Sequence, residues 1–172
     1  MDPEIRASNS ADLSASRVLA HRTARLEQLL AHEGIDRSFI ANEPLRNAQR
    51  NGVTGFELGV NLTSYRALPL SCLAEIKLAV DDEPIDTSRM LLVLQGNEYR
   101  IADLPRLSRV WWFVLDTATL FVARAEPLKP GEHDIDGTLV TVEPYMTAGR
   151  FPFYSFSKRR LALELPLAEG AR

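Results

Sequence analysis

The sequence contains few of the residues that catalytic and metal centres use. Its 172 residues include one cysteine, Cys72, and three histidines. A single cysteine excludes an internal disulfide and a zinc site built from cysteines, and we expect Cys72 to be a small buried apolar side chain. His21 and His32 would lie about three helical turns apart, which is too far for both to ligate one metal.

One short segment combines metal-ligand residue types: Glu132, His133 and Asp134. Successive strand residues point to opposite faces, so His133 would face away from the two carboxylates. The Pro-Gly turn before it predicts that His133 is exposed. Nucleophilic catalysis needs a base beside the nucleophile, and Ser71 and Cys72 have no histidine nearby in the sequence. We therefore expect this chain to hold no metal or other cofactor and to contribute no catalytic residue.

Charge and hydropathy exclude two further classes of protein. The chain carries 20 lysine and arginine residues against 23 aspartate and glutamate residues, mixed along its length, for a net charge of −3. A nucleic-acid-binding surface is strongly basic instead. No apolar run approaches the roughly 20 residues of a membrane helix, and the start, "MDPEIRASNS", lacks the basic and apolar segments of a signal peptide. We expect a soluble cytoplasmic protein that binds neither nucleic acid nor membrane.

Hydrophobic periodicity divides the chain near residue 36. For residues 1–35 we expect a disordered tail and then a helix, because apolar residues follow a helical spacing: Leu13, Val18, Leu19, Leu26, Leu29 and Leu30. For residues 36–172 apolar residues alternate with polar ones, as in "TGFELGVNL", "AEIKLAV", "RMLLVLQGNEYRI" and "RVWWFVL". Turns about every 8–12 residues predict a mainly β protein, an antiparallel jelly-roll-like β-sandwich with an N-terminal α-helical arm.

Aromatic residues are the most distinctive feature of the β-region. Trp111, Trp112 and Phe113 are consecutive, and strand alternation would place Trp112 on the face opposite to the other two. A later segment, "YMTAGRFPFYSF", holds five aromatic residues among twelve. Two interpretations are open: the aromatics fill the core at one end of the sandwich, or they form a binding surface, where aromatic residues and arginine are enriched.

Five segments resemble a known family in their order and spacing: "GFELGVNLTSYRALPLSC", "VDDEPID", "VWWFVLDTATLFV", "LKPGEHDIDGTLVTVEPY" and "GRFPF". Over about residues 39–165 the chain is similar to the small beta subunit of bacterial C-glycoside deglycosidases. The resemblance implies a β-sandwich subunit that binds a larger alpha subunit. It implies that the alpha subunit is a (β/α)₈ barrel, similar to sugar-phosphate isomerases, and that it holds a divalent, manganese-like metal.

The resemblance also implies a reaction, the cleavage of the carbon–carbon glycosidic bond in 3-keto C-glucosides of the flavonoid or anthraquinone type. Catalysis belongs to the alpha subunit, so this chain would be an accessory subunit that is not catalytic by itself. We expect its partner-binding surface, or the rim that it adds to the partner's pocket, to include Tyr65, Arg66, Trp111, Trp112, Tyr145, Arg150, Phe151 and Phe153.

Two other functions are open from the sequence. One is a free-standing carbohydrate-binding β-sandwich, in which exposed tryptophan and tyrosine rings stack on sugars. The other is a β-sandwich enzyme whose carboxylates converge from separate strands, as glycoside hydrolysis requires. Its candidate residues are Glu57, Glu75 and Glu143.

Overall fold

The computed structural model describes residues 38–144 and 151–164, and this part of the chain is mainly β-strand. The strands, in chain order, are β1 (Leu45–Arg50), β2 (Val53–Asn61), β3 (Leu68–Pro69), β4 (Leu73–Val80), β5 (Glu83–Pro84), β6 (Met90–Leu94), β7 (Asn97–Arg100), β8 (Trp111–Trp112), β9 (Thr117–Ala123), β10 (Glu132–Val142) and β11 (Pro152–Glu164). Short 3₁₀ turns lie at Leu70–Cys72, Thr87–Arg89 and Ile101–Arg106.

Nine of these strands form one curled sheet in the order β5-β4-β10-β11-β1-β2-β9-β6-β7, and β3 pairs with β8 separately. Neighbouring strands run antiparallel except β1 and β11, which meet in a short parallel pair. The antiparallel β-region predicted from the sequence is therefore confirmed. The described strands form a continuous curled sheet, and its description as a jelly-roll-like sandwich stays a prediction.

The alternating pattern explains why the sheet curls around one core. In β2, Phe56, Leu58 and Val60 are fully buried, while Glu57 and Asn61 on the other face are only partly buried. One buried cluster draws on strands from both halves of the sheet, including Ile76 in β4 and Leu120 in β9. Each such side chain contributes about 1.5–3 kcal/mol of stability by leaving water. Cys72 is buried among them, as the sequence predicts.

Ile40 joins the two halves of the sheet. It forms an isolated antiparallel bridge with Val60 in β2, and its backbone N–H donates to Ser157 Oγ in β11 at 3.2 Å. Arg159 Nε donates to the Ile40 carbonyl oxygen at 2.7 Å. Gly137 in β10 packs closely on this residue, because a Cβ there would lie 2.6 Å from Ile40 Cδ1 and the isoleucine side chain would have to shift. These contacts hold the end of β2 beside the first half of β11.

Gln95 and Gly96 form the turn of a hairpin. Both residues have positive φ angles, 51° and 78°, and they join β6 to β7 in the two-residue turn that suits a twisted hairpin.

The prediction of one strand over "RVWWFVL" is wrong beyond Trp111–Trp112. The indole Nε1–H of Trp112 donates to the Asp116 carbonyl oxygen at 2.8 Å, and a turn from Phe113 to Asp116 ends the strand.

The predicted tail and helical arm in residues 1–35 lie outside the described residues, and the domain boundary near residue 36 stays a prediction.

The sequence pattern did not predict β1, because "LRNAQR" has a single buried residue, Leu45. Within the described ranges, helices are confined to short turns, and none has the length and apolar character needed to cross a membrane.

Candidate partner-binding surface

Exposed apolar side chains concentrate in one region of the molecule. Nine large hydrophobic side chains are exposed in the described residues, and only Val53, at the start of β2, lies away from this region. We call the region the aromatic end and define it by Tyr65, Trp111, Phe113, Leu115, Phe151, Phe153, Tyr154 and Phe156. A concentration of exposed apolar side chains of this kind is typical of an interaction site.

Hydrogen bonds bring the segments of the aromatic end together. The end of β2 is joined to the start of β9, because Thr117 Oγ1 donates to Asn61 Oδ1 at 3.0 Å. The loop after β2 is joined to β11 by the hydroxyls of Thr63 and Ser155, whose oxygens lie 2.5 Å apart. Residues that are distant in sequence therefore meet at one end of the sheet.

The loop at residues 62–67 presents Tyr65 and Arg66, both exposed as the sequence predicted for a contact site. The Arg66 guanidinium carbon lies 5.2 Å from the centroid of the Tyr65 ring, within the range of a cation–π contact. The Arg66 backbone N–H also lies 3.3 Å from Ser64 Oγ, which accepts its hydrogen bond. The two side chains are thus in contact before any partner binds.

The two tryptophans have different surroundings. In the β3–β8 ladder Pro69 pairs with Trp111 and Leu68 pairs with Trp112. Trp112 is completely buried, while Trp111 is 41% exposed and Phe113 is also exposed, so the predicted alternation is confirmed. A side chain in the core offers no surface to a partner, so Trp111 and not Trp112 belongs to the aromatic end.

The hairpin of β10 and β11 carries exposed aromatic rings on both faces. Phe153 shares a face with Ser155, which contacts the loop after β2, whereas Tyr154 and Phe156 point to the other face. The rings of Tyr154 and Phe156 are stacked, with centroids 6.2 Å apart. The contact residues predicted from the sequence did not include Tyr154, Phe156, Phe113 and Leu115, although the "FYSF" alternation could have indicated the first two. Tyr145 and Arg150 lie outside the described residues.

A buried carboxylate lies beneath this surface. Glu143 follows the last paired position of the hairpin, Val142 with Pro152, and is only 6% exposed. Ser64 Oγ–H donates to Glu143 Oε1 at 2.8 Å, which fixes the loop of Tyr65 against the hairpin. Of the other two candidate carboxylates, Glu57 forms an ion pair with Arg50 and Glu75 with Lys77.

His133 is buried, so the prediction that it is exposed is wrong. Its Nδ1 lies 2.6 Å from Asp81 Oδ2 and its Nε2 lies 2.9 Å from the Lys129 carbonyl oxygen. Both partners accept hydrogen bonds, which favours a ring with two N–H groups. Burial lowers the pKa of His133, but these hydrogen bonds and the charge of Asp81 outweigh it and raise that pKa above 6.5. This ring fixes the β4–β5 turn at the start of β10.

The donor set of the described residues does not fit a metal ion. Within residues 38–144 and 151–164, no three histidine, cysteine, aspartate or glutamate side chains are grouped so that they could hold one. His133 is engaged by Asp81 and a backbone carbonyl instead.

Comparison with known proteins identifies the family. Residues 35–145 match the family model described as C-glycoside deglycosidase beta subunit. The chain is 31% identical to the 3'-dehydrocarminate deglycosidase beta subunit of Microbacterium sp over 99 aligned residues. The alignment covers 58% of this chain and 74% of the relative. It is 27% identical to the C-glycoside deglycosidase beta subunit of Eubacterium cellulosolvens over 114 aligned residues. That alignment covers 65% of this chain and 78% of the relative. The chain therefore belongs to the C-glycoside deglycosidase beta subunit family.

Proposed function

We propose that this chain is the accessory beta subunit of a heteromeric C-glycoside deglycosidase and that its aromatic end binds the larger alpha subunit. The observation that carries the proposal is the concentration of exposed aromatic residues in one region of a chain whose relatives are named beta subunits. Aromatic side chains and arginine supply most of the binding energy in protein interfaces. The alpha subunit is proposed to be a metal-dependent (β/α)₈ barrel.

The proposed substrates are 3-keto C-glucosides of the flavonoid or anthraquinone type. The name of the Microbacterium relative specifies a 3'-dehydro compound, which supports an oxidised sugar as the substrate class. A carbonyl at C3 acidifies the proton on C2, so a general base can remove that proton. A double bond then forms between C1 and C2 while the bond from C1 to the aromatic ring breaks, and the ring carbon takes up a proton as it leaves. A divalent, manganese-like metal in the alpha subunit would stabilise negative charge on the ketone oxygen.

The part of this reaction assigned to the present chain is structural. The described residues offer no metal-ligand group, and we place the base and the metal in the alpha subunit. The aromatic end would cover part of the barrel's surface, exclude water beside its pocket and hold the loops around that pocket in place. The Tyr65–Arg66 pair and the exposed ring of Trp111 are suited to this contact.

Activity reconstitution tests the proposed function. The purified chain and its alpha subunit are assayed separately and together on a 3-keto C-glucoside, with release of the aromatic product as the readout. We expect no activity from this chain alone and full activity from the mixture. Full activity from this chain alone would end the proposal.

One observation favours a second candidate function, a free-standing carbohydrate-binding module. The stacked rings of Tyr154 and Phe156 are exposed on the outer face of β11 and resemble a platform for a sugar ring. Binding of a glycan by the isolated chain, lost in Tyr154→Ala and unaffected by the alpha subunit, would support this alternative.

A further inference from the structure

Glu143 is a buried carboxylate with a single hydrogen-bond donor among the described residues. Ser64 Oγ–H donates to Oε1 at 2.8 Å. Within residues 38–144 and 151–164 no lysine, arginine or histidine forms an ion pair with Glu143. An ionised carboxylate can accept about four hydrogen bonds, and the described residues supply one of them through Ser64.

Several other acidic residues in the described ranges have a cation in contact. Glu57 is paired with Arg50, Asp134 with Arg160, and Asp81 with His133. All three of these carboxylates are more exposed than that of Glu143. Burying a carboxylate without a cation is costly, because the group loses its water and gains no opposite charge. A buried polar group of this kind is often completed by a bound group.

The position of Glu143 indicates where the missing group comes from. Glu143 lies one residue beyond the Val142–Pro152 pair, at the tip of the hairpin that carries Phe153. Ser64, its hydrogen-bond donor among the described residues, adjoins Tyr65 in the loop of the aromatic end. A molecule that covers the aromatic end would therefore pass directly over this carboxylate.

We propose that Glu143 accepts hydrogen bonds from an arginine side chain of the alpha subunit. This inference rests on the proposed function, because it requires the alpha subunit to cover the aromatic end. A guanidinium group is planar, donates two parallel hydrogen bonds to a carboxylate and packs on aromatic rings. It therefore matches both the carboxylate and its aromatic surroundings. A sugar hydroxyl is neutral and would leave the buried charge uncompensated.

The test compares wild type and Glu143→Gln in two measurements, calorimetric titration into the purified alpha subunit and thermal unfolding of the isolated chain. Glutamine keeps an oxygen for Ser64 but carries no charge. We expect Glu143→Gln to weaken binding by roughly 30-fold or more, as loss of one partner of a buried charge pair does. The unfolding midpoint of the isolated chain should stay the same or rise, since a buried uncompensated charge is removed.

Asn47→Ala is the matched control. Asn47 exchanges two hydrogen bonds with the backbone of Leu128, at 2.9 and 2.8 Å, in the loop between β9 and β10 and away from the aromatic end. This substitution should lower the unfolding midpoint and leave the affinity unchanged. A purely structural role of Glu143 predicts a different result, a lowered midpoint together with weaker binding, and that result would contradict the inference.

The remaining outcomes separate this inference from the proposed function. If wild type does not bind the alpha subunit, the proposed function fails and the inference fails with it. If Glu143→Gln binds as tightly as wild type, the inference is wrong and the proposed function stands. If binding is unchanged but the KM of the assembled enzyme rises, Glu143 accepts a substrate hydroxyl, which also overturns the inference.

Discussion

The Arg66 guanidinium carbon lies 5.2 Å from the centroid of the Tyr65 ring, and both side chains extend into solvent. A cation–π contact at an exposed site stabilises by about 0.5–1 kcal/mol, and by more when water is removed from it. The pair therefore gains strength when another surface covers it. A rigid aromatic ring and an arginine that are already in place also lose little conformational entropy on binding.

We predict that Tyr65→Ala and Arg66→Ala each weaken binding of the alpha subunit by about 1–2 kcal/mol, which is roughly 5- to 30-fold. Both side chains are exposed in the isolated chain, so its free energy of unfolding should change by no more than about 0.5 kcal/mol. Calorimetric titration and urea unfolding provide the two values. Val53→Ala is the control, because Val53 is exposed but lies away from the aromatic end; an equal loss of affinity in this variant would argue against a local contact.

The neighbouring tryptophans should respond in opposite ways. Trp112 is completely buried, so Trp112→Ala should lower the free energy of unfolding by about 3–5 kcal/mol through lost burial and a cavity. Trp111→Ala should have a much smaller effect on stability, since Trp111 is 41% exposed, and should instead weaken binding of the alpha subunit. Urea unfolding and titration measure the two effects, and similar stability losses in both variants would show that the ladder assignment is wrong.

The ion pair of His133 with Asp81 should make stability depend on pH in two windows. The pKa of His133 is raised above 6.5, so its contribution is fully present below pH 6.5 and is lost as pH rises through the raised pKa. The hydrogen bond from His133 lowers the pKa of Asp81 below 3.8, so that contribution is present above pH 3.8 and is lost as pH falls through the lowered pKa.

Urea unfolding of wild type and Asp81→Asn across pH 3 to 9 checks this prediction. The stability difference between the two proteins should be largest between pH 3.8 and pH 6.5, the ordinary values of the two groups, and should shrink on either side. A difference that stays constant across the whole range would mean that the two groups are not coupled in the folded chain.

Alternation along the strands was sufficient to predict much of the fold. It placed Phe56, Leu58 and Val60 inside and separated Trp112 from Trp111, because side chains in a strand point to alternate faces. It failed where local patterns carry no signal. The strand β1 has a polar sequence and exists because β2 and β11 pair with it. The strand over Trp111 ends early because a turn from Phe113 to Asp116 follows it.

The candidate surface could be predicted only in part. Aromatic composition indicated Tyr65, Trp111, Phe151 and Phe153, but no local pattern shows which aromatic side chains the core will cover, as Trp112 illustrates. The burial of Glu143 depends on Ser64, which is 79 residues away in sequence. The burial of His133 was not predicted from the sequence. Its ring is held by the Lys129 backbone and by Asp81, and Asp81 is 52 residues away in sequence and cannot be identified from the neighbouring residues.

Hydrogen–deuterium exchange on the isolated chain and on its complex with the alpha subunit tests the central claim most directly. Binding at the aromatic end should slow exchange in the loop at residues 62–67, in residues 111–116 and in the first half of β11, and should leave the turn at residues 81–82 unchanged. Protection confined to the 81–82 turn and the β9–β10 loop, with no change at the aromatic end, would contradict the account.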